Sequence, residues 1–157
     1  MEYEIGGAGP GPGTPPVPDA DGPYLEDDWQ GDPGSGYNDP DRYILLDGSG
    51  TVATDGDPIL NYTWEITNTY DPAHPVTILN AGTDETFVLT IGRLAADGIL
   101  PPDHHIAADY LFSVVLTATD KDGMATSEST TLFVPEPGSL LLLGLGGLGG
   151  LIRRRRR

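Results

Sequence analysis

Between residues 59 and 134 apolar and polar side chains alternate in short runs. In "PILNYTWEIT", Leu60, Tyr62, Trp64 and Ile66 interleave with Asn61, Thr63, Glu65 and Thr67. A period of two predicts a strand with one buried face and one wet face. "TFVLTI" repeats the pattern, with Phe87, Leu89 and Ile91 on one side and Thr86, Val88 and Thr90 on the other. "YLFSVVLTATD" is the longest case, with Tyr110, Phe112, Val114, Leu116 and Ala118 on one face before Asp120 ends the run. "RYILLDGSG" predicts a strand entering a turn, "STTLFV" a last strand reaching Val134, and "PVTIL" near Val76 a less regular one. No stretch before Pro135 keeps a helical period, although "GRLAADGIL" has room for one short turn. Strands joined by Gly, Asp and Pro turns predict an all-β chain folded as an antiparallel β-sandwich. Trp64 and Tyr110 are the expected large core residues, because aromatic side chains bury the most area.

The two ends break this pattern. The 22 glycines and 15 prolines concentrate there, which places the ordered core nearer one hundred residues than the full 157. "GAGPGPGTPPVP" and "DWQGDPGSGYNDPD" have no apolar period, so residues 1 to about 41 read as flexible or loop-like. The expected division is a disordered leader over 1–18, a domain over 19–134 with its ordered core from about 42, and a separate tail over 135–157. "MEYEIGGAGPGPG" has neither the basic nor the apolar region of a signal peptide, so export requires a signal beyond this sequence or a different start.

Charge sharpens the contrast. The formal net charge is −16, yet Arg153, Arg154, Arg155, Arg156 and Arg157 supply most of the basic residues. Without them 24 acids face only Arg42, Arg93 and Lys121, a charge of −21. Such a body repels nucleic acid and anionic lipid and offers oxygen ligands to hard cations. Nucleic acid is therefore not an expected partner. The absence of cysteine excludes disulfides, thiol catalysis and cysteine-held zinc.

In the tail, Pro135, Glu136 and Pro137 precede an apolar run over 139–152 made of Leu140, Leu141, Leu142, Leu143, Leu145, Leu148, Leu151 and Ile152 with interspersed glycine. As a short apolar helix its 14 residues rise about 21 Å, less than a hydrocarbon core of about 30 Å. The segment is marginal as a permanent anchor. The arginines behind it act as a topology stop, cytoplasmic under the positive-inside rule, with the acidic body outside. Glycines at 144, 146, 147, 149 and 150 leave a notched surface on which another helix can dock.

Two resemblances follow from these residues. Pro135-Glu136-Pro137, the apolar run and the terminal arginines together resemble the PEP-CTERM sorting signal. That resemblance implies a transient stay in the inner membrane, recognition by an exosortase, a membrane-embedded cysteine protease, and transfer to the cell surface or extracellular matrix of an exopolysaccharide-producing Gram-negative bacterium. The second spans roughly 19–134. Gly22-Pro23-Tyr24, the Leu46–Gly50 turn, Asp55-Gly56-Asp57, the Tyr-x-Trp of Tyr62 and Trp64, and the Thr119–Gly123 hairpin occur in the order found in PKD-like domains. It implies an immunoglobulin-like sandwich. The chain departs from that family's pattern after Trp64, where Glu65, Ile66, Thr67 and Asn68 stand, and around "RLAADGILPPDHHIAAD".

Candidate chemistry is sparse. Asp55 and Asp57 at one turn and Asp120 and Asp122 at another are the candidate metal ligands, with Asp21 and Asp47 behind them; Ca²⁺ is the cation that such oxygens suit. The favoured reading of Asp-Gly and Asp-x-Asp-Gly is turn chemistry and solvated charge, with no cofactor required. Asp103, His104 and His105 have no HExxH or triad context and read as an exposed loop. No pair among 24 acids stands out for glycoside hydrolysis, so no enzyme is expected. The expected function is an exported, non-enzymatic spacer or adhesion module, with polysaccharide as a candidate surface partner. The alternative is a calcium-dependent carbohydrate-binding module, as part of a larger secreted hydrolase.

Overall fold

A computed structural model of the protein describes residues 13–31, 39–69, 75–100 and 110–134. Residues 1–12, 103–105 and 135–157 lie outside this set, and with them the first part of the leader, the two adjacent histidines and the whole sorting signal. Six strands are described: β1 (Tyr43–Asp47), β2 (Ile59–Asn68), β3 (Thr77–Gly82), β4 (Thr86–Thr90), β5 (Tyr110–Asp120) and β6 (Ala125–Val134). One short helix, α1 (Ile91–Ala96), follows β4 directly.

The strands form two antiparallel sheets, a pair β1-β4 and a four-stranded sheet in the order β3-β2-β5-β6. Ile44, Leu46, Phe87 and Leu89 of the pair share one hydrophobic cluster with Trp64, Ile66, Phe112, Val114 and Leu116 of the larger sheet. The alternation along β5 holds throughout, with Tyr110, Phe112, Val114, Leu116 and Ala118 buried. Among the described residues the regular structure is thus mostly β, with almost no helix.

Two local departures have physical causes, and Asp120 marks a third. Leu60 is 46% exposed, because the β2–β5 register slips between Ile59 and Asn61 and turns it out of the buried row. A bulge of this kind inserts one residue and re-aims its side chain. Ile91 stays buried but begins α1, because the Thr90 side chain accepts the Arg93 N–H at 3.0 Å and caps a helix where the strand would continue. Asp120 is 3% exposed and remains within β5.

The largest revision concerns residues 13–31. They carry little regular structure, as expected of a Gly/Pro-rich stretch, yet they are packed onto the domain. Val17 bridges Val52, Tyr24 bridges Leu132 in parallel, and Gln30 bridges Tyr43. The Tyr24 N–H donates to the Thr131 carbonyl and its own carbonyl accepts from Phe133, both at 2.9 Å, so this segment covers part of the free edge of β6. Ala20, Tyr24 and Trp29 are in the core, and the Trp29 Nε1–H donates to the Phe133 carbonyl at 3.0 Å. Glycine is needed at position 22: an added Cβ would lie 1.8 Å from Thr130 Oγ1. The ordered core therefore starts well before residue 42.

Tyr24 ties this segment to β1. Its hydroxyl donates to the Ala20 carbonyl at 2.7 Å and accepts the Asp47 N–H at 2.9 Å. Burial pushes its pKa up from 10.0 to about 12; the Asp47 N–H bond opposes this, and the negative charges of Asp21, Asp47 and Asp19 add to it. A raised folded-state value means that the folded chain holds the proton more tightly. Its stabilisation is complete below pH 10 and is lost as pH rises towards 12. Urea unfolding between pH 9 and 12 is expected to show that loss, and Tyr24→Phe to show less of it. The variant should also be about 1–3 kcal/mol less stable at pH 7, because the Asp47 N–H loses a buried partner.

Candidate functional site

Sequence reasoning singled out four turn aspartates, and the fold uses them unequally. Asp120 closes the β5–β6 hairpin. Its Oδ1 accepts the N–H groups of Asp122 at 2.9 Å and Met124 at 2.8 Å, while Gly123 takes a left-handed φ of +80°. Its Oδ2 is buried without a hydrogen-bond partner among the described residues. The hairpin is further pinned by the Lys121 N–H donating to the Pro58 carbonyl at 3.1 Å.

That pinning brings the hairpin to the turn before β2. Lys121 Nζ forms an ion pair with Asp57, which raises the lysine pKa. Asp55 Oδ1 accepts the Asp57 N–H at 3.0 Å and its Oδ2 the Thr14 N–H at 2.9 Å. Those two bonds, the one from Asp57 first, hold the Asp55 carboxyl below its ordinary pKa. A hydrogen bond with the Asp57 side chain, followed by partial desolvation and the Asp57 charge, raises that of Asp122. Asp55 and Asp122 both flank Gly13, where an added Cβ would meet their Oδ2 atoms at 3.2 and 3.5 Å.

Asp55, Asp57 and Asp122 are thus brought together on the surface, with Lys121 among them, and Asp120 is set apart as the hairpin's buried acceptor. Among the described residues no three carboxylates or histidines meet at metal-ligand spacing. The lysine supplies a cation where like charges would otherwise repel.

Asp21 and Asp47 meet elsewhere. With Asp27 and Asp28 they line an open cleft of about 450 Å³ that also includes Pro23, Tyr24, Gln30 and Leu45. Asp28 Oδ2 accepts the Leu25 N–H at 2.7 Å, and Asp47 Oδ1 accepts that of Ser49 at 2.9 Å. The Tyr24 ring is buried, so it presents no open face on which a sugar could stack. The sequence pattern hid this cleft, because its walls come from the loop-like segment and from the end of β1. An acid-lined concavity favours cations and hydroxyl groups and repels anionic polymers.

The sorting motif follows directly on the last described strand. β6 pairs with β5 up to Tyr110↔Val134, and Val134 is fully buried. Pro135 follows at once and has no N–H with which to extend a ladder. The last described strand therefore ends at the residue before the Pro-Glu-Pro segment. Among the described residues no helix is long and apolar enough to cross a membrane, and the apolar run over 139–152 lies outside them.

No curated protein and no solved structure matches the chain. Over residues 133–157 the chain matches the family model of the PEP-CTERM protein-sorting motif, and this match supports export through exosortase-type processing to the surface or exterior of a Gram-negative bacterium.

Proposed function

We propose that this is an exported, non-enzymatic β-domain that serves as a spacer or adhesion module at the cell surface or in the extracellular matrix. The single observation that carries the reading is the abutment of the last described strand and the sorting motif. Val134 closes β6, and the next residue opens the Pro-Glu-Pro segment. A domain that needs nothing from its tail can lose it without unfolding. The order of landmarks from Gly22 to Gly123, together with two antiparallel sheets around one core, supports a PKD-like, immunoglobulin-type sandwich. The apolar run would hold the chain in the inner membrane while the arginines keep its end cytoplasmic.

The test is a chain ending at Val134, expressed behind an export signal in a Gram-negative host that carries an exosortase. The purified domain is expected to melt at the temperature of the full chain, while the cell surface lacks it. Surface display equal to that of the full chain would contradict the reading.

A calcium-dependent carbohydrate-binding module is the second reading, favoured by the unpartnered Asp120 Oδ2 and by the close approach of Asp57 and Asp122. Lys121 already balances Asp57, so the first reading expects millimolar Ca²⁺ to leave the melting temperature unchanged. A rise on adding Ca²⁺ that disappears in Asp57→Asn, accompanied by glycan binding, would favour the second instead.

A further inference from the structure

The end of the domain from which the tail departs carries an apolar row of two exposed leucines, Leu25 and Leu111, on either side of a half-buried Phe133. Leu111 of β5 and Phe133 of β6 are paired in register, each alternating with buried neighbours: Tyr110 and Phe112, Leu132 and Val134. Both therefore lie on the outer face. On the far side of β6 the parallel bridge Tyr24↔Leu132 brings Leu25 up beside Phe133. Tyr24 is buried with Leu132, and Leu25 follows it on the outer side, 54% exposed against 47% for Leu111. The row thus runs from β5 across β6 to the N-terminal segment at one end of the sheet.

We propose that this row docks on the outer surface of a lipid bilayer while the tail is held in it. The inference rests on the reading of residues 139–152 as a membrane segment. Four residues separate Val134 from Ser139, and the five Cα-to-Cα steps reach at most about 18 Å fully extended. The end of β6 is held in place by Tyr110, by the Tyr24 carbonyl and by the Trp29 bond to Phe133, so it cannot lengthen that tether. The bilayer is therefore the apolar phase that chain continuity places nearest the row. Isolated exposed leucines are ordinary on protein surfaces; two exposed leucines joined by a half-buried phenylalanine beside the exit point of an apolar segment are not scattered. Leu79, on the outer face of the same sheet, pairs with Glu65 well away from that end, and Val88 belongs to the other sheet. Asp27 and Asp28 are exposed next to Leu25, which selects a zwitterionic surface over an anionic one. Docking would fix the tilt of the domain and hold the Pro-Glu-Pro segment close to the headgroups, within reach of a membrane-embedded protease.

The chain has no cysteine, so single fluorescent labels can be placed cleanly. Leu25→Cys, Leu111→Cys, Leu79→Cys, Val88→Cys and Leu143→Cys would each be labelled in the full chain and reconstituted into phosphatidylcholine vesicles containing nitroxide-bearing lipid. The expected result is strong quenching at 143, and quenching at 25 and 111 several times that at 79 and 88, reduced when anionic lipid is added. Quenching at 143 with 25 and 111 no greater than 79 and 88 would overturn the docking and leave the membrane segment standing. No quenching at 143 would overturn both. Shielding of 25 and 111 in lipid-free solution would assign the row to a second copy of the chain, and would equally overturn the proposal.

Discussion

Trp29→Ala is expected to destabilise the domain by about 3–5 kcal/mol, as much as Trp64→Ala, although only Trp64 lies in a strand. Both indoles are buried, at 5% and 0% exposure. Trp64 sits mid-sheet between Asn80 of β3 and Leu116 of β5, and its Nε1–H has no hydrogen-bond partner among the described residues. Its loss is therefore a loss of apolar packing. Trp29 adds a hydrogen bond to the Phe133 carbonyl, which truncation would leave unpaired at the end of β6. Against a usual stability of about 5–15 kcal/mol, either change should bring the chain close to unfolding. Equilibrium urea unfolding checks both. A small effect at Trp29 beside a large one at Trp64 would mean that residues 13–31 are not part of the cooperative core.

Replacing Pro135, Glu136 and Pro137 together by alanine is expected to abolish processing without touching the fold. The last ladder pair among the described residues is Tyr110↔Val134, one residue before the segment. The variant domain should melt as the wild type does. In a host with an exosortase, the chain should accumulate in the membrane fraction with its arginines attached, and the surface form should disappear. Fractionation with an antibody to the folded domain reads both pools. A surface pool of normal size would separate the motif from the sorting of this chain.

The strands were legible because their two faces face different solvents. Along β5 every second residue is buried, so a period of two in the sequence is a period of two in space. Leu60 broke the rule because a register slip is a property of the pair of strands and leaves no mark in either alone. Tyr24 and Trp29 were hidden for another reason. They are single aromatics in a stretch of Gly, Pro and Asp, and their burial comes from contacts with β1 and β6 far along the chain. A lone Trp in an otherwise polar loop was the available signal, since so large an apolar surface is seldom left in water.

The turn aspartates were found, but their division of labour was not. Which oxygen caps a hairpin and which meets Lys121 depends on how the β5–β6 turn leans on Pro58. The cleft of Asp21, Asp27, Asp28 and Asp47 likewise exists only once residues 13–31 are folded back onto β1. The tail was the most legible part. Its order of proline, apolar and basic residues is local, and needs no tertiary contact to be read.

The central claim, that residues 135–157 are an address removed from a finished domain, is tested most directly by intact-mass spectrometry of the protein recovered from the surface of a Gram-negative host that carries an exosortase. The predicted result is a mature chain that retains Val134 and lacks all of Arg153, Arg154, Arg155, Arg156 and Arg157. A surface form whose mass includes Arg157 would contradict it.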